Sequence, residues 1–117
     1  MFLALKHTGF EVYIHAGEIV VECYRLSKLL PSDEKFNLVG QIRRAAISIK
    51  LNIAEGASRR TTAERKRFYE IARSSLVELD SAFDVCVAIN YYDNTQLVKL
   101  SKLVNSCYAM LSKLISN

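Results

Sequence analysis

The stretch TTAERKRFYEIARSSLVELDSAFDVCVAI, residues 61–89, carries the longest helical pattern in this chain. Thr61 and Glu64 have the spacing of a capping box, which begins a helix. Small or apolar residues then recur at steps of three and four: Phe68, Ala72, Ser75, Leu79, Ala82, Cys86 and Ile89. We therefore predict a helix over about 62–91, roughly 45 Å long at 1.5 Å per residue.

Two segments before this stretch repeat the same spacing. The first, about 9–30, begins with a capping-box pattern at Thr8 and Glu11 and ends before Pro31. The second, about 33–56, can be capped by Ser32 or Asp33. It ends near Gly56, a residue suited to helix termination or to very close packing. The predicted buried stripes are Val12, Ala16, Ile19, Cys23, Leu26 and Leu30 in the first segment, and Leu38, Ile42, Ala45, Ile49 and Ile53 in the second.

A fourth helix is predicted over about 94–116, after turn and cap chemistry supplied by Asp93 and Asn94. Its apolar seam is Leu97, Leu100, Val104, Cys107, Leu111 and Leu114. No segment shows the alternation of a strand, and the connections are short. The fold class we predict is all-α, an antiparallel up-down-up-down four-helix bundle, with residues 1–117 forming one domain.

Composition narrows the class of protein further. No stretch approaches the ~18 consecutive apolar residues of a membrane helix, and the first residues lack the basic leader of a secretory signal. Cys23, Cys86 and Cys107 are odd in number, lack CxxC spacing and fall on predicted core stripes. We expect a cytoplasmic protein with reduced, buried thiols and no contact with a membrane.

A second set of apolar residues lies off the primary stripes. It comprises Val20, Tyr24, Ile47, Leu51, Val77, Val85 and Tyr92. In a monomer these side chains would face water, which favours a homo-oligomer. The alternative is that some of them widen the core-facing arc of their helices.

The segment QIRRAAISI, residues 41–49, continues to NIAEG at 52–56 and to Arg59 and Arg60. It resembles the signature of the four-helix bundle proteins of the 23S rRNA intervening-sequence family, and the likeness extends over most of residues 10–116. The resemblance implies homopentameric rings without an established biochemical activity. A related branch, in which a basic pentamer engages reverse transcriptase and nucleic acid, implies RNA or DNA as a partner. Lys50 and Leu51 depart from the family pattern, which commonly has a proline here, so no proline kink is expected.

Asn52 continues the inward stripe from Ile49, and Glu55 follows it by three residues. A buried amide needs hydrogen-bond partners. One interpretation makes Asn52 and Glu55 part of a ligand or partner site. The interpretation we favour is structural: the two side chains bond across helices and set their register, next to Gly56.

Charge is concentrated in one part of the chain. Residues 43–73 hold nine basic and three acidic residues, a net of +6, while the remainder holds seven basic and nine acidic residues, a net of −2. The predicted nucleic-acid-binding residues are Arg43, Arg44, Arg59, Arg60, Arg65, Lys66, Arg67 and Arg73. Arginine's donor fork suits phosphate. The alternatives are a solvated surface, salt bridges between subunits, or an acidic protein partner.

The sequence gives little support for metal binding or catalysis. Only two histidines occur, His7 and His15, too few for a di-iron bundle site. Glu11, His15, Glu18 and Glu22 share a stripe that could bind a metal, but we interpret it as a solvated surface. There is no Gly-rich phosphate loop, and no histidine follows residue 15 to serve as a general base. We expect no enzyme activity, no cofactor and no small-molecule substrate.

Overall fold

The computed structural model describes residues 2–117 and contains four α-helices: α1 (Glu11–Ser27), α2 (Leu38–Ser58), α3 (Thr62–Ala88) and α4 (Val98–Ser116). Short 3-10 turns at Lys6–Gly9, Ser32–Glu34 and Asn94–Leu97 precede α1, α2 and α4. Over residues 2–117 there is no strand. The predicted all-α class is confirmed.

The helices pack as a four-helix bundle. Helix α1 lies against α2 and α4, and α3 lies against the same two helices. Between α1 and α2, Arg43 bonds to Ser27, whereas Lys50 reaches Gly17. The up-down-up-down order itself remains a prediction from the short connections.

The predicted core stripes of α1 and α2 are buried throughout. Helix α3 differs, because its buried seam is Tyr69, Ala72, Leu76, Leu79, Phe83 and Cys86, joined by Ser75. Phe68 and Ala82 are only partly buried, and Ile89 is exposed. Buried residues recur every seven positions in two series. One series is Tyr69, Leu76 and Phe83, and the other is Ala72, Leu79 and Cys86. The predicted stripe was therefore displaced by one position at Phe68 and at Ala82, and it was wrong at Ile89, which lies beyond the buried part of the helix.

Helix α4 buries Leu100, Leu103, Cys107 and Leu111. Val104 and Leu97 are partly buried at the edge of the core, and Leu114 is exposed. The predicted seam was thus confirmed at Leu100, Cys107 and Leu111, only partly buried at Leu97 and Val104, and wrong at Leu114. Leu103 is buried instead, so that the inward residues of α4 follow steps of three and four from Leu100 through Leu103 and Cys107 to Leu111.

The predicted caps at the starts of α1 and α2 were wrong. Thr8 makes no capping box with Glu11, because its hydroxyl donates to the carbonyl of Leu5 (2.8 Å) within a 3-10 turn, and α1 begins at Glu11. Ser32 and Asp33 lie in another 3-10 turn, so α2 begins five residues later than predicted, at Leu38. Helix α1 also ends early, at Ser27, where the amides of Leu29 and Leu30 bond to the preceding turn.

The caps at the start of α3 and before α4 are formed by the residues that the sequence predicted, Thr61 and Asp93. Thr61 Oγ1 accepts from the amide of Glu64 (3.1 Å). At the other end Asn90 takes a left-handed conformation (φ 66°), and the Tyr91 amide bonds to the Cys86 carbonyl (2.8 Å), which is a Schellman motif. Asp93 and Gln96 form a reciprocal capping box, as predicted for Asp93, although it opens a 3-10 turn and α4 starts only at Val98.

Tyr92 and Lys50, which both stood out in the sequence, make specific contacts in the structure. Tyr92 was expected off the core, but it is 4% exposed and its hydroxyl donates to the carbonyl of Leu26, joining the α3–α4 connection to the end of α1. Lys50, which stands where the family pattern has proline, lies with its ammonium 4.2 Å from the centre of the Tyr13 ring. Helix α2 continues without interruption through it.

Candidate nucleic-acid interface

The short connection between α2 and α3 is held by a close contact between the two helices. Gly56 lies in the last turn of α2 and is buried against Tyr69 of α3. A β-carbon at residue 56 would be 2.8 Å from Tyr69 Cε1 and 3.1 Å from the carbonyl oxygen of Arg65. Gly56 therefore serves close packing, one of the two roles predicted for it, and α2 continues to Ser58.

Arg65 fixes the shape of this connection. Its guanidinium donates to the carbonyls of Arg59 (3.1 Å) and Arg60 (3.0 Å), and to the hydroxyl of Thr62 (3.1 Å). These carbonyls belong to residues past the end of α2, where no further helical turn would satisfy them. Arg65 thus uses its donor groups to hold the loop, while its positive charge remains at this end of the bundle.

Arg59 is also engaged by neighbouring side chains. Its Nη2 is 2.8 Å from Glu55 Oε2, and its guanidinium carbon lies 4.7 Å from the centre of the Phe68 ring. The Glu55 side chain is half exposed, so it lies at the surface and offsets the charge of Arg59. This ion pair would contribute under about 1 kcal/mol because water screens it.

The remaining cations of this end have no carboxylate partner among the described residues. The ion pairs within residues 2–117 are Arg25–Glu22 and Arg59–Glu55. Arg60 and Arg67 are exposed, and Lys66 is partly exposed. We refer to Arg59, Arg60, Arg65, Lys66 and Arg67 together as the cationic loop.

Three of the eight predicted nucleic-acid-binding residues lie away from the cationic loop. Arg43 donates to Ser27 Oγ (2.9 Å) and stacks on Tyr24 of α1. Arg73 donates to Ser112 Oγ (3.1 Å) of α4. Arg44 is exposed on the outside of α2. Arg43 and Arg59 are separated by roughly 24 Å along α2, at 1.5 Å per residue, so the eight residues do not form one surface.

Asn52 lies in a small polar network between α2 and α3. Its Nδ2 donates to the carbonyl (2.9 Å) and the hydroxyl (3.1 Å) of Ser48, and Ser48 Oγ lies 2.8 Å from Ser75 Oγ. Asn52 thus bonds within its own helix, and the link between helices is made by the two serines. Ser48 was not predicted as part of this network; its position four residues before Asn52 was the available signal.

The polar stripe of α1 is also built differently from the solvated surface we expected. Glu22 is 3% exposed, and Arg25 donates to both of its carboxylate oxygens (2.8 and 2.7 Å), which lowers the pKa of Glu22. His15 Nδ1 is 2.9 Å from the carbonyl of Glu11. Across residues 2–117 no group of three His, Cys, Asp or Glu side chains could hold a metal ion.

The three thiols are free and buried, as predicted. Burial raises the pKa of Cys23 and of Cys107 to about 12, and it also raises the pKa of Cys86. A protonated thiol is a poor nucleophile and a poor metal ligand. These cysteines therefore pack as small apolar side chains.

The fold and this surface define a class of protein: an all-α four-helix bundle with a cationic loop at one end. The family model of the 23S rRNA-intervening sequence protein matches residues 8–113, and the chain belongs to this family. This confirms the resemblance drawn from residues 41–60. Among curated proteins, none matches the chain. In the part of the chain that the structure describes, no helix is both long and apolar enough to cross a membrane.

A solved structure has the same fold. It is a protein of unknown function from the S23 ribosomal protein family of Bacteroides thetaiotaomicron, with a TM-score of 0.83 and 22% sequence identity. The alignment covers 91% of this chain and 99% of that one. At this level of identity the likeness shows a common bundle.

Proposed function

We propose that this chain forms a homo-oligomer, a pentamer as the family resemblance implies, and that it binds RNA or DNA through the cationic loop. The main support is the exposure of three cations in this loop. Arg60, Lys66 and Arg67 are at least partly exposed and have no ion pair within residues 2–117. Arg59 bonds to Glu55, and Arg65 bonds to the carbonyl of Arg59, which keeps the loop in shape.

Phosphate is the chemical group that this arrangement suits. Guanidinium groups bind phosphate oxygens with two parallel hydrogen bonds, and a lysine adds a mobile point charge. A ring of subunits would repeat the cationic loop around its axis and strengthen the local field. Contacts of this kind are to the backbone, so binding should be sensitive to salt and weakly dependent on base sequence.

A titration with matched charge variants tests the proposal. Fluorescence anisotropy would follow labelled RNA and DNA at low and moderate salt with wild-type protein, with R60A/K66A/R67A, and with K28A/K35A/K113A. Each triple variant lowers the formal net charge by three, from +4 to +1. The control lysines are exposed and lie outside the cationic loop.

We expect the cationic-loop variant to lose most of its affinity and the control variant to lose little. The dependence of log K on log salt should become shallower by about 0.9 for each lost contact to duplex DNA, or about 0.7 for single strands. Equal losses in both variants would show that only total charge matters. A wild-type protein that binds at neither salt would refute the proposal.

The alternative function is a structural or protein-interaction module, in which the arginines mediate assembly or bind an acidic protein. Arg43 and Arg65 weigh against phosphate binding, because their donor groups already bond to Ser27 and to the loop carbonyls within the chain. Light scattering on R60A/K66A/R67A discriminates the two. An intact oligomer without nucleic-acid affinity supports the first function, whereas dissociation into monomers supports the alternative.

The proposal contains no catalytic step and no cofactor. The thiols are buried, and both histidines precede residue 16. We place the protein in the cytoplasm, where thiols stay reduced. A small-molecule substrate has no part in the mechanism, which consists of binding alone.

A further inference from the structure

A polar groove runs along the outside of the bundle between α2 and α3. It has a volume of about 420 Å³, which is within the range of small-ligand sites. Its polar lining consists of Gln41, Arg44, Ser48, Ser74, Ser75 and Glu78. None of these residues belongs to the cationic loop. We call this surface the α2–α3 groove.

The groove begins next to the cationic loop. Ile71 and Ser75 line it, and Phe68 precedes them by three and seven residues, so Phe68 lies on the same side of α3. Phe68 is also one turn nearer the start of α3, where the cationic loop lies. Its ring is partly exposed, and the ring centre is 4.7 Å from the guanidinium carbon of Arg59. Phe68 and Arg59 thus lie between the loop and the groove.

Arg44 carries a positive charge at the far end of the groove. The hydroxyls of Ser48 and Ser75 are 2.8 Å apart and mark its middle, and Arg44 and Glu78 each lie one turn further from the loop. A β-carbon at Gly40 would be 2.9 Å from Arg44 Nη1, so the guanidinium uses the space that glycine leaves. Neither Arg44 nor Glu78 forms an ion pair with a described residue. Both charged groups can therefore bind a ligand.

The lining of the groove suits a nucleotide of a single strand. Arg44 and Glu78 are its charged residues, so the groove is neutral as a whole. A nucleotide has groups for both, because its phosphate accepts hydrogen bonds from a guanidinium and the amino group of its base donates to a carboxylate. The Watson–Crick edges of bases are free for such contacts in single strands. A groove between two packed helices is also too narrow for a duplex, whose own major groove admits a whole helix.

We infer that the nucleic acid bound by the cationic loop is single-stranded and continues into the α2–α3 groove. This inference rests on the proposed function and names its substrate class. A base would stack against the Phe68–Arg59 pair, since aromatic rings and guanidinium planes are the usual platforms for unpaired bases. A phosphate further along the strand would bind Arg44, roughly 22 Å from Arg59 along α2. A duplex would reach the cationic loop alone.

Matched charge variants test the inference. Ser74→Glu places a carboxylate in the groove, whereas Ser81→Glu places one on the same helix outside the groove, and both serines are exposed. Arg44→Ala removes the cation of the groove, and Lys28→Ala removes an exposed cation elsewhere. Fluorescence anisotropy would compare labelled single strands of RNA and DNA with the duplexes of the same sequences. Circular dichroism checks that each variant folds.

Wild type should bind the single strand more tightly than the duplex at moderate salt, where phosphate contacts are weakened and stacking remains. Ser74→Glu and Arg44→Ala should each weaken single-strand binding by about tenfold, the effect of losing one such contact. Their duplex binding, and both kinds of binding by Ser81→Glu and Lys28→Ala, should change little. Equal losses in Ser74→Glu and Ser81→Glu, or duplex binding that falls as far as single-strand binding, would overturn the inference.

Two further outcomes separate this inference from the other proposals. A wild-type protein that binds both forms, with groove variants that bind as wild type does, refutes the path through the groove and leaves the cationic loop as a phosphate site. A wild-type protein that binds neither form refutes the proposed function and this inference together. Light scattering should give Ser74→Glu the mass of wild type, and a lower mass would make the groove a contact between copies and overturn the inference.

Discussion

The ring of Tyr69 lies against the bare α-carbon of Gly56, so closely that a β-carbon there would be 2.8 Å from Tyr69 Cε1 and 3.0 Å from Cδ1. This contact brings the end of α2 onto the second turn of α3, directly beside the cationic loop. The ring cannot retreat easily, because Tyr69 is itself buried in the core. The shape of the loop thus depends on a glycine that carries no charge.

Gly56→Ala should destabilise the protein by about 1–3 kcal/mol, the usual cost of forcing extra volume into a packed core. Alanine would otherwise favour the helix by up to about 1 kcal/mol, so the sign of the effect tests the contact. Denaturant unfolding followed by circular dichroism measures it. Gly9→Ala is the control, since nothing lies within 4 Å of a β-carbon there; equal stability of both variants would contradict the prediction.

Tyr92→Phe should destabilise the bundle by about 1 kcal/mol, the net value of one buried hydrogen bond. The substitution removes the hydrogen bond from the Tyr92 hydroxyl to the Leu26 carbonyl. That carbonyl still accepts a hydrogen bond from the Leu29 amide, so it is not left without a partner. Tyr91→Phe is the matched control: it removes a bond to Glu34 from a partly exposed ring, and its effect should be smaller. Thermal or denaturant unfolding measures both variants. An equal loss of unfolding free energy in Tyr91→Phe and Tyr92→Phe would contradict the prediction.

Glu22→Gln should change how stability depends on pH. The hydrogen bonds from Arg25 lower the pKa of Glu22 in the folded state, so its ionisation stabilises the fold above the ordinary pKa of 4.5. That contribution disappears as the pH falls through the folded pKa. The variant should therefore be less stable than wild type near pH 7, with the difference shrinking below pH 4.5.

Unfolding free energies measured at several pH values check this behaviour. Glu18→Gln supplies the control, because Glu18 is exposed on the same helix and has no ion pair within the described chain. The control measures the effect of losing one acidic side chain from this helix. A difference between Glu22→Gln and wild type that does not vary with pH would mean that the buried carboxylate is not stabilised by Arg25.

Repetition along the sequence was sufficient to predict the helices and most of the core. The stripes of α1 and α2 are buried as drawn, because a helix turns by a constant angle and its inward positions depend only on spacing. The family signature at residues 41–56 was recognisable for the same reason, since it is local. In α3 the predicted buried stripe was displaced at Phe68, because aromatic residues at both 68 and 69 fit a helical stripe.

Tertiary structure alone decided which polar groups meet. Arg43, Arg65 and Arg73 looked alike in the sequence, yet one bonds to α1, one to its own loop and one to α4. Glu22 and Tyr92 were both assigned to the surface and are buried. A side-chain hydrogen bond requires a partner at about 3 Å, and only the packing of one helix on another brings residues distant in the chain to that separation.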